Sequence, residues 1–231
     1  MSLVRRLRPS KGYGVAGALR NLGRAVGVLV FVLAAPALAA PQSLIAFGDS
    51  LTAGYGLPPD QGFVPQLQAW LSAHGAEVRV QNAGVSGDTT AGGLARIDWT
   101  LSTPADAMVL TLGGNDLLRG IAPEEARGNL DAILTKAEAK GLRVLLVPMV
   151  APGNYGPDYK AAFDALYPDL AAAHGVDLSE PFLAPILALP SRDQAVADYM
   201  QADGIHPNAK GVALIVEALG PRVLDLLARG E

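Results

Sequence analysis

Short apolar runs and amphipathic segments take turns along this chain, and that alternation constrains its fold more than any other feature. "SLIAFG" (43–48), "EVRVQNAG" (77–84), "DAMVLTLGG" (106–114), "LRVLLVPMV" (142–150) and "VDLSEPF" (176–182) read as strands. Between them, 63–75, 89–101, 122–141, 158–175 and 207–230 read as helices, with Pro168 expected to kink or split the fourth. Strand and helix alternating five times predict an α/β fold, a mainly parallel sheet with helices on both faces. No internal repeat or long low-complexity linker divides it, so one domain over 41–231 is expected. In such folds ligands sit at the carboxyl ends of the strands, which directs attention to the loops that follow them.

The first 40 residues have a different character. Arg5, Arg6, Arg8, Lys11, Arg20 and Arg24 are their only charged residues, and "AVGVLVFVLAAPALAA" follows. A basic start, a short apolar core and Ala-Leu-Ala at 37–39 predict a secretory signal peptide over 1–40, cleaved near Ala39 or Ala40. The competing reading is a membrane anchor, for which the strictly apolar part is short. Twin-arginine export would want an apolar residue where Arg8 stands, so ordinary secretion to the periplasm or beyond is expected, with no membrane span left after cleavage. Six of the 18 basic residues and none of the 22 acidic ones precede residue 41, which leaves the remainder at a formal charge of −10. An acidic body argues against nucleic acid as a partner. The absence of cysteine excludes thiol catalysis, thiolate metal ligation and disulfides.

The loops after the apolar runs carry the candidate chemistry. The first holds Asp49 and Ser50; later ones read "NAGVSGDTT", "GGND" and "APGNYG", and "QADGIHPN" leads into the last helix. A serine hydroxyl needs a base, and His206 is the best candidate, since His74 and His174 sit in "A-H-G" at helix ends. Asp203, three residues before His206, is placed to hold one imidazole nitrogen while the other faces the serine. The same D-x-x-H spacing also suits a helix N-cap ahead of Pro207. Backbone N–H groups of Ser50 and Gly87, with the Asn115 amide, offer donors for an oxyanion. The glycines themselves are equally what any α/β turn requires. No phosphate-binding glycine motif follows the first strand, no G-x-S-x-G surrounds Ser50, and no H-E-x-x-H is present. Asp49 is read as a brace for the turn.

Four blocks, "FGDSLTAGYG", "NAGVSGDTT", "LGGND" and "DGIHPN", occur in this order across 45–208. Together they resemble the SGNH hydrolases, also called GDSL esterases. "SGDTTAGGLARI", "LGGNDLLRG" and "NYGPDY" look most like the bacterial arylesterase, acyl-CoA thioesterase I and lysophospholipase L1 group. The resemblance implies a flavodoxin-like three-layer α/β/α sandwich with five parallel strands and no metal or organic cofactor. It implies Ser50 as nucleophile, His206 as base, Asp203 as its orienting carboxylate, and an oxyanion hole of Ser50, Gly87 and Asn115. It also places a mobile segment at 149–156 beside an acyl groove.

The expected function is therefore a secreted serine esterase working through an acyl-enzyme on aryl esters, acyl esters or lysophospholipids, with thioesters chemically feasible. Leu51, Leu118, Met149, Val150, Asn154, Tyr155 and Ile205 are the candidate substrate-binding residues. A carbohydrate O-acetylesterase on the same scaffold and a non-catalytic binding protein are the alternatives. The first would want exposed aromatic platforms, and 6% of the chain is aromatic.

Overall fold

The computed structural model describes residues 41–229, so the expected signal peptide lies outside the described residues. Strand β1 (Gln42–Gly48) leads through the single turn α1 (Ser50–Ala53) to α2 (Phe63–Ala73). Strand β2 (Val78–Gly84) is followed by α3 (Thr90–Thr100), and β3 (Ala107–Thr111) by α4 (Gly114–Arg119) and α5 (Pro123–Ala139). After β4 (Arg143–Leu146) come a 3-10 turn at Gly153–Tyr155 and α6 (Pro157–His174). Strand β5 (Asp177–Leu178) precedes α7 (Ala184–Leu187), α8 (Arg192–Tyr199) and α9 (Ala209–Ala228).

All four pairings are parallel, in the order β2-β1-β3-β4-β5. Central strands covered on both faces need apolar side chains on both, and residues 44–48 of β1 and all of β3 are buried. Helices α2 and α9 pack together, as do α3 with α5 and α5 with α6. Right-handed crossovers require this division, because the chain leaves β1 in one direction to form β2 and returns past it to form β3. The result is the three-layer sandwich expected from the sequence. Among the described residues no helix is long and apolar enough to cross a membrane.

Several boundaries differ from the sequence reading. Strand β4 stops at Leu146 rather than running to Val150: Val147 N–H still reaches Leu110 O at 2.9 Å, but Pro148 has no N–H to continue the ladder. Helix α6 continues through Pro168, which is exposed, while Phe163, Leu166, Tyr167, Leu170 and Ala171 anchor its other face in the core. Packing of that face offsets one missing hydrogen bond on the solvent side. Helix α9 likewise carries Pro221 without dividing. Helices α7 and α8 form where proline-interrupted sequence lacked a clear period.

Candidate active site

The chain reverses its lateral direction between β1 and β3, and the loops after those strands open a crevice at the sheet's carboxyl edge. Gly48, paired with Gly84 and Thr111 in the two neighbouring strands, ends β1. A Cβ there would collide with the Thr52 side chain, so only glycine lets α1 fold this tightly over the strand end. Asp49 caps α1: its Oδ1 accepts from Leu51 N–H at 3.0 Å and its Oδ2 from the Asn115 amide at 3.3 Å. This is the bracing the sequence suggested for it. With the side chain 1% exposed, burial pushes its pKa up to about 6, and the Leu51 N–H bond offsets only part of that.

Ser50 occupies the first helical position, where a backbone N–H has no acceptor within the helix. Gly87 sits in a turn closed by Asp88 N–H on Val85 O, at φ +87°, a conformation that favours glycine. Its carbonyl accepts from Arg119 Nη2 at 2.8 Å. Asn115 lies on α4 and donates to Asp88 O at 3.0 Å as well as to Asp49. Its neighbour Asp116, fully buried, accepts from the N–H and hydroxyl of Thr90 at 2.9 and 2.6 Å, tying α4 to α3.

Arg96 was not singled out in the sequence. Its guanidinium pairs with Asp88 at 2.6 Å, donates to Ala83 O and Gly48 O at 2.9 Å each, and lies 4.1 Å over the Phe47 ring. One planar fork thus pins the ends of β1 and β2 and the loop between β2 and α3.

Asn208 caps α9 by accepting from Lys210 and Gly211 N–H, and its amide donates to Asp198 O and Met200 O. That fixes the loop before it. Within this loop Asp203 Oδ1 accepts from the N–H groups of Ile205 and His206 at 2.9 and 3.0 Å, and Oδ2 lies 2.7 Å from His206 Nδ1. The backbone N–H of His206 and then its ring hold the Asp203 carboxyl down at about 2. An ionised carboxylate only accepts, so Nδ1 must carry the proton. In a neutral imidazole Nε2 is then free to accept. Ser50 Oγ lies 2.9 Å from that Nε2. Hydroxyl, imidazole and carboxylate form one hydrogen-bonded row.

Beside this row is a cavity of about 360 Å³ with mainly apolar walls. Leu51, Leu118, Met149, Val150 and Ile205 line it, together with Ser50, Gly87, Asn115 and His206. Asn154 and Tyr155 do not. Tyr155 instead places its ring against Gly120 and beside Tyr159, bracing the end of α4. Sequence reasoning missed Tyr55, Pro181, Leu183 and Leu187, which supply further parts of the wall. The last three follow β5, and the rule that ligands gather at strand carboxyl ends would have found them had "PFLAPILALP" been inspected as a loop. His74 stacks on Trp70, and His174 bridges Asp131 and Glu138; neither lines the cavity. Among the described residues no cluster of His, Asp or Glu could hold a metal ion.

Residues 46–214 match the model of the GDSL-like Lipase/Acylhydrolase family. The chain is 42% identical over 190 residues to the Esterase TesA of Pseudomonas aeruginosa, covering 82% of this chain and 91% of that protein. It is 35% identical over 201 residues to the Thioesterase 1/protease 1/lysophospholipase L1 of Escherichia coli K12, covering 86% and 91%. Among solved structures, that of the psychrotrophic esterase EstA from Pseudoalteromonas sp., inhibited by monoethylphosphonate, matches with a TM-score of 0.74 at 30% identity. The match covers 81% of this chain and 99% of that one. Fold, family model and relatives agree: the chain belongs to the GDSL-like lipase/acylhydrolase family and is a carboxylic ester hydrolase.

Proposed function

We propose that the protein is a secreted serine esterase whose row of Ser50, His206 and Asp203 carries out two-step acyl transfer. The observation that carries this reading is the 2.9 Å contact between Ser50 Oγ and His206 Nε2, backed by the 2.7 Å contact to Asp203. Ser50 Oγ attacks the ester carbonyl as its proton passes to Nε2. The resulting imidazolium, held by Asp203, returns that proton to the leaving group as the bond to it breaks. Water, deprotonated by the same nitrogen, then releases the acid and restores the serine.

The oxyanion forms against the N–H groups of Ser50 and Gly87 and the Asn115 amide. Of the two bonds Asn115 makes, the 3.3 Å one to Asp49 is the longer, and it is this N–H that the oxyanion recruits. Leu51, Leu118, Met149, Val150 and Ile205 bind an acyl or aryl group in the adjoining cavity. Apolar walls suit aryl esters, acyl esters and lysophospholipids. The relatives' names extend the range to thioesters, although export would separate the protein from cytosolic acyl-CoA. Residues 1–40 serve as the signal peptide, and 41–231 work in the periplasm or outside the cell.

The test is hydrolysis of p-nitrophenyl acetate, butyrate and octanoate by the purified protein and by Ser50→Ala. The wild type is expected to cleave all three and the variant none above background. Equal slow rates would remove the nucleophile, and cleavage of acetate alone would favour the carbohydrate O-acetylesterase. Sequencing the amino terminus of exported protein checks for cleavage after Ala39 or Ala40.

A further inference from the structure

The row described above joins two loops 156 residues apart, and Asp203 holds only one edge of the imidazole. Resting on the proposed roles of Ser50 and His206, the geometry points to Gln201 as a positioning residue that clamps these loops together, with the Tyr55 ring as the face of the clamp. Gln201 makes contacts in both loops. Its side-chain amide donates to Tyr55 O at 2.8 Å and to Pro207 O at 3.0 Å, and its backbone N–H donates to His206 O at 2.8 Å. Tyr55 N–H in turn donates to Ser50 O at 3.1 Å. A closed circuit therefore runs from Ser50 through Tyr55 and Gln201 to His206.

Two further features fit this circuit. Gly56, at φ +74°, leaves room for the Gln201 side-chain oxygen, and a Cβ at that position would strike it. The Tyr55 ring lies beside that of His206, with centroids 4.7 Å apart and planes 39° from each other. Asp203, Gly204 and Ile205 are exposed and lie outside regular helix or strand; the Asn208 cap fixes the base of this loop, and the Gln201 circuit is what ties it across to Ser50. Displacing a reacting group by about 1 Å costs on the order of 10²-fold in rate, so a neutral amide far from the bond being broken controls turnover by geometry alone.

The decisive variant is Gln201→Met, which keeps side-chain length and removes both donors. Its kcat on p-nitrophenyl acetate, normalised to sites titrated with a p-nitrophenyl phosphonate, is expected to fall about tenfold while KM stays within about twofold. Tyr55→Ala combined with it should lose no more than the larger single loss, because both act on one imidazole. The low-field proton resonance of His206 Nδ1–H, read without substrate, should be sharp in the wild type and broadened in Gln201→Met. An unchanged kcat per titrated site with an unchanged resonance overturns the clamp, as do losses that multiply. If the resonance responds while the wild type neither hydrolyses esters nor titrates, the clamp stands and the serine reading falls.

Discussion

Asp203 grips His206 at two points: Oδ1 accepts from the histidine's backbone N–H at 3.0 Å and Oδ2 from its ring Nδ1 at 2.7 Å. Three-residue spacing makes the double grip possible, because the turn that brings Oδ1 under the backbone also points the ring at Oδ2. With its pKa held at about 2 against an ordinary 3.8, Asp203 is ionised at every pH where the protein would be assayed. The sign follows from the depression. The stability this group contributes is present above about pH 4 and is lost only as pH falls through 2.

Replacing Asp203 by Asn should keep the backbone turn but lose the charge that fixes the Nδ1–H tautomer. A fall in kcat on the order of 10⁴ is expected, with KM little changed. Steady-state kinetics on p-nitrophenyl butyrate at pH 8 check it. A loss under tenfold would mean that the imidazole is oriented by something else.

Asn115→Ala removes one of the oxyanion donors proposed above without touching the Ser50–His206 pair. The expected loss is roughly 10²- to 10³-fold in kcat, about 2.7–4 kcal/mol. Phosphonate labelling of Ser50 should persist in this variant, at a reduced rate. Full esterase activity would take Asn115 out of the reaction.

Asp49 titrates in the opposite sense to Asp203. Its pKa is raised by burial to about 6, so its contribution to stability is greatest below about pH 4 and is lost as pH rises through 6. At pH 8 the ionised group therefore carries a penalty of roughly 3 kcal/mol. Asp49→Asn keeps an acceptor for Leu51 N–H and abolishes the titration, with a pH-independent loss of the Asn115 contact. Urea unfolding at pH 4, 5, 6 and 7 should show the variant gaining on the wild type by a few kcal/mol across that range. A constant difference would contradict the raised pKa.

Leu187 stands on α7 at the cavity wall and is 58% exposed. Leu187→Trp should shorten the apolar space and leave the row of Ser50, His206 and Asp203 untouched. For each methylene excluded, kcat/KM on the longer p-nitrophenyl esters should drop about fourfold relative to acetate. An unchanged chain-length profile would place the acyl group elsewhere.

Much of this architecture was legible before any coordinates. Five apolar runs separated by amphipathic segments predicted five strands and a parallel sheet, because a strand covered on both faces has no polar side to display. Asp203 and His206 were legible as a pair because their contact is local, and Asp49 as a brace because it follows a buried run at a helix start. Arg96 was not legible. A single arginine on a helix reads as solvated surface until the ends of β1 and β2 arrive beneath it. Leu183 and Leu187 stayed hidden because proline-broken apolar sequence shows no period. Pro168 misled for the converse reason, since its local cost is set against a buried face that only the assembled core provides.

By itself the sequence determined the order of elements, the kinds of chemical group available and the loops that carry them. Tertiary structure decided which loops meet. Lateral strand order depends on crossover handedness and on helices packing across the sheet, and neither leaves a mark within a short window of residues. The 2.9 Å contact between Ser50 and His206 spans 156 residues, and such a distance exists only once the whole sheet has formed.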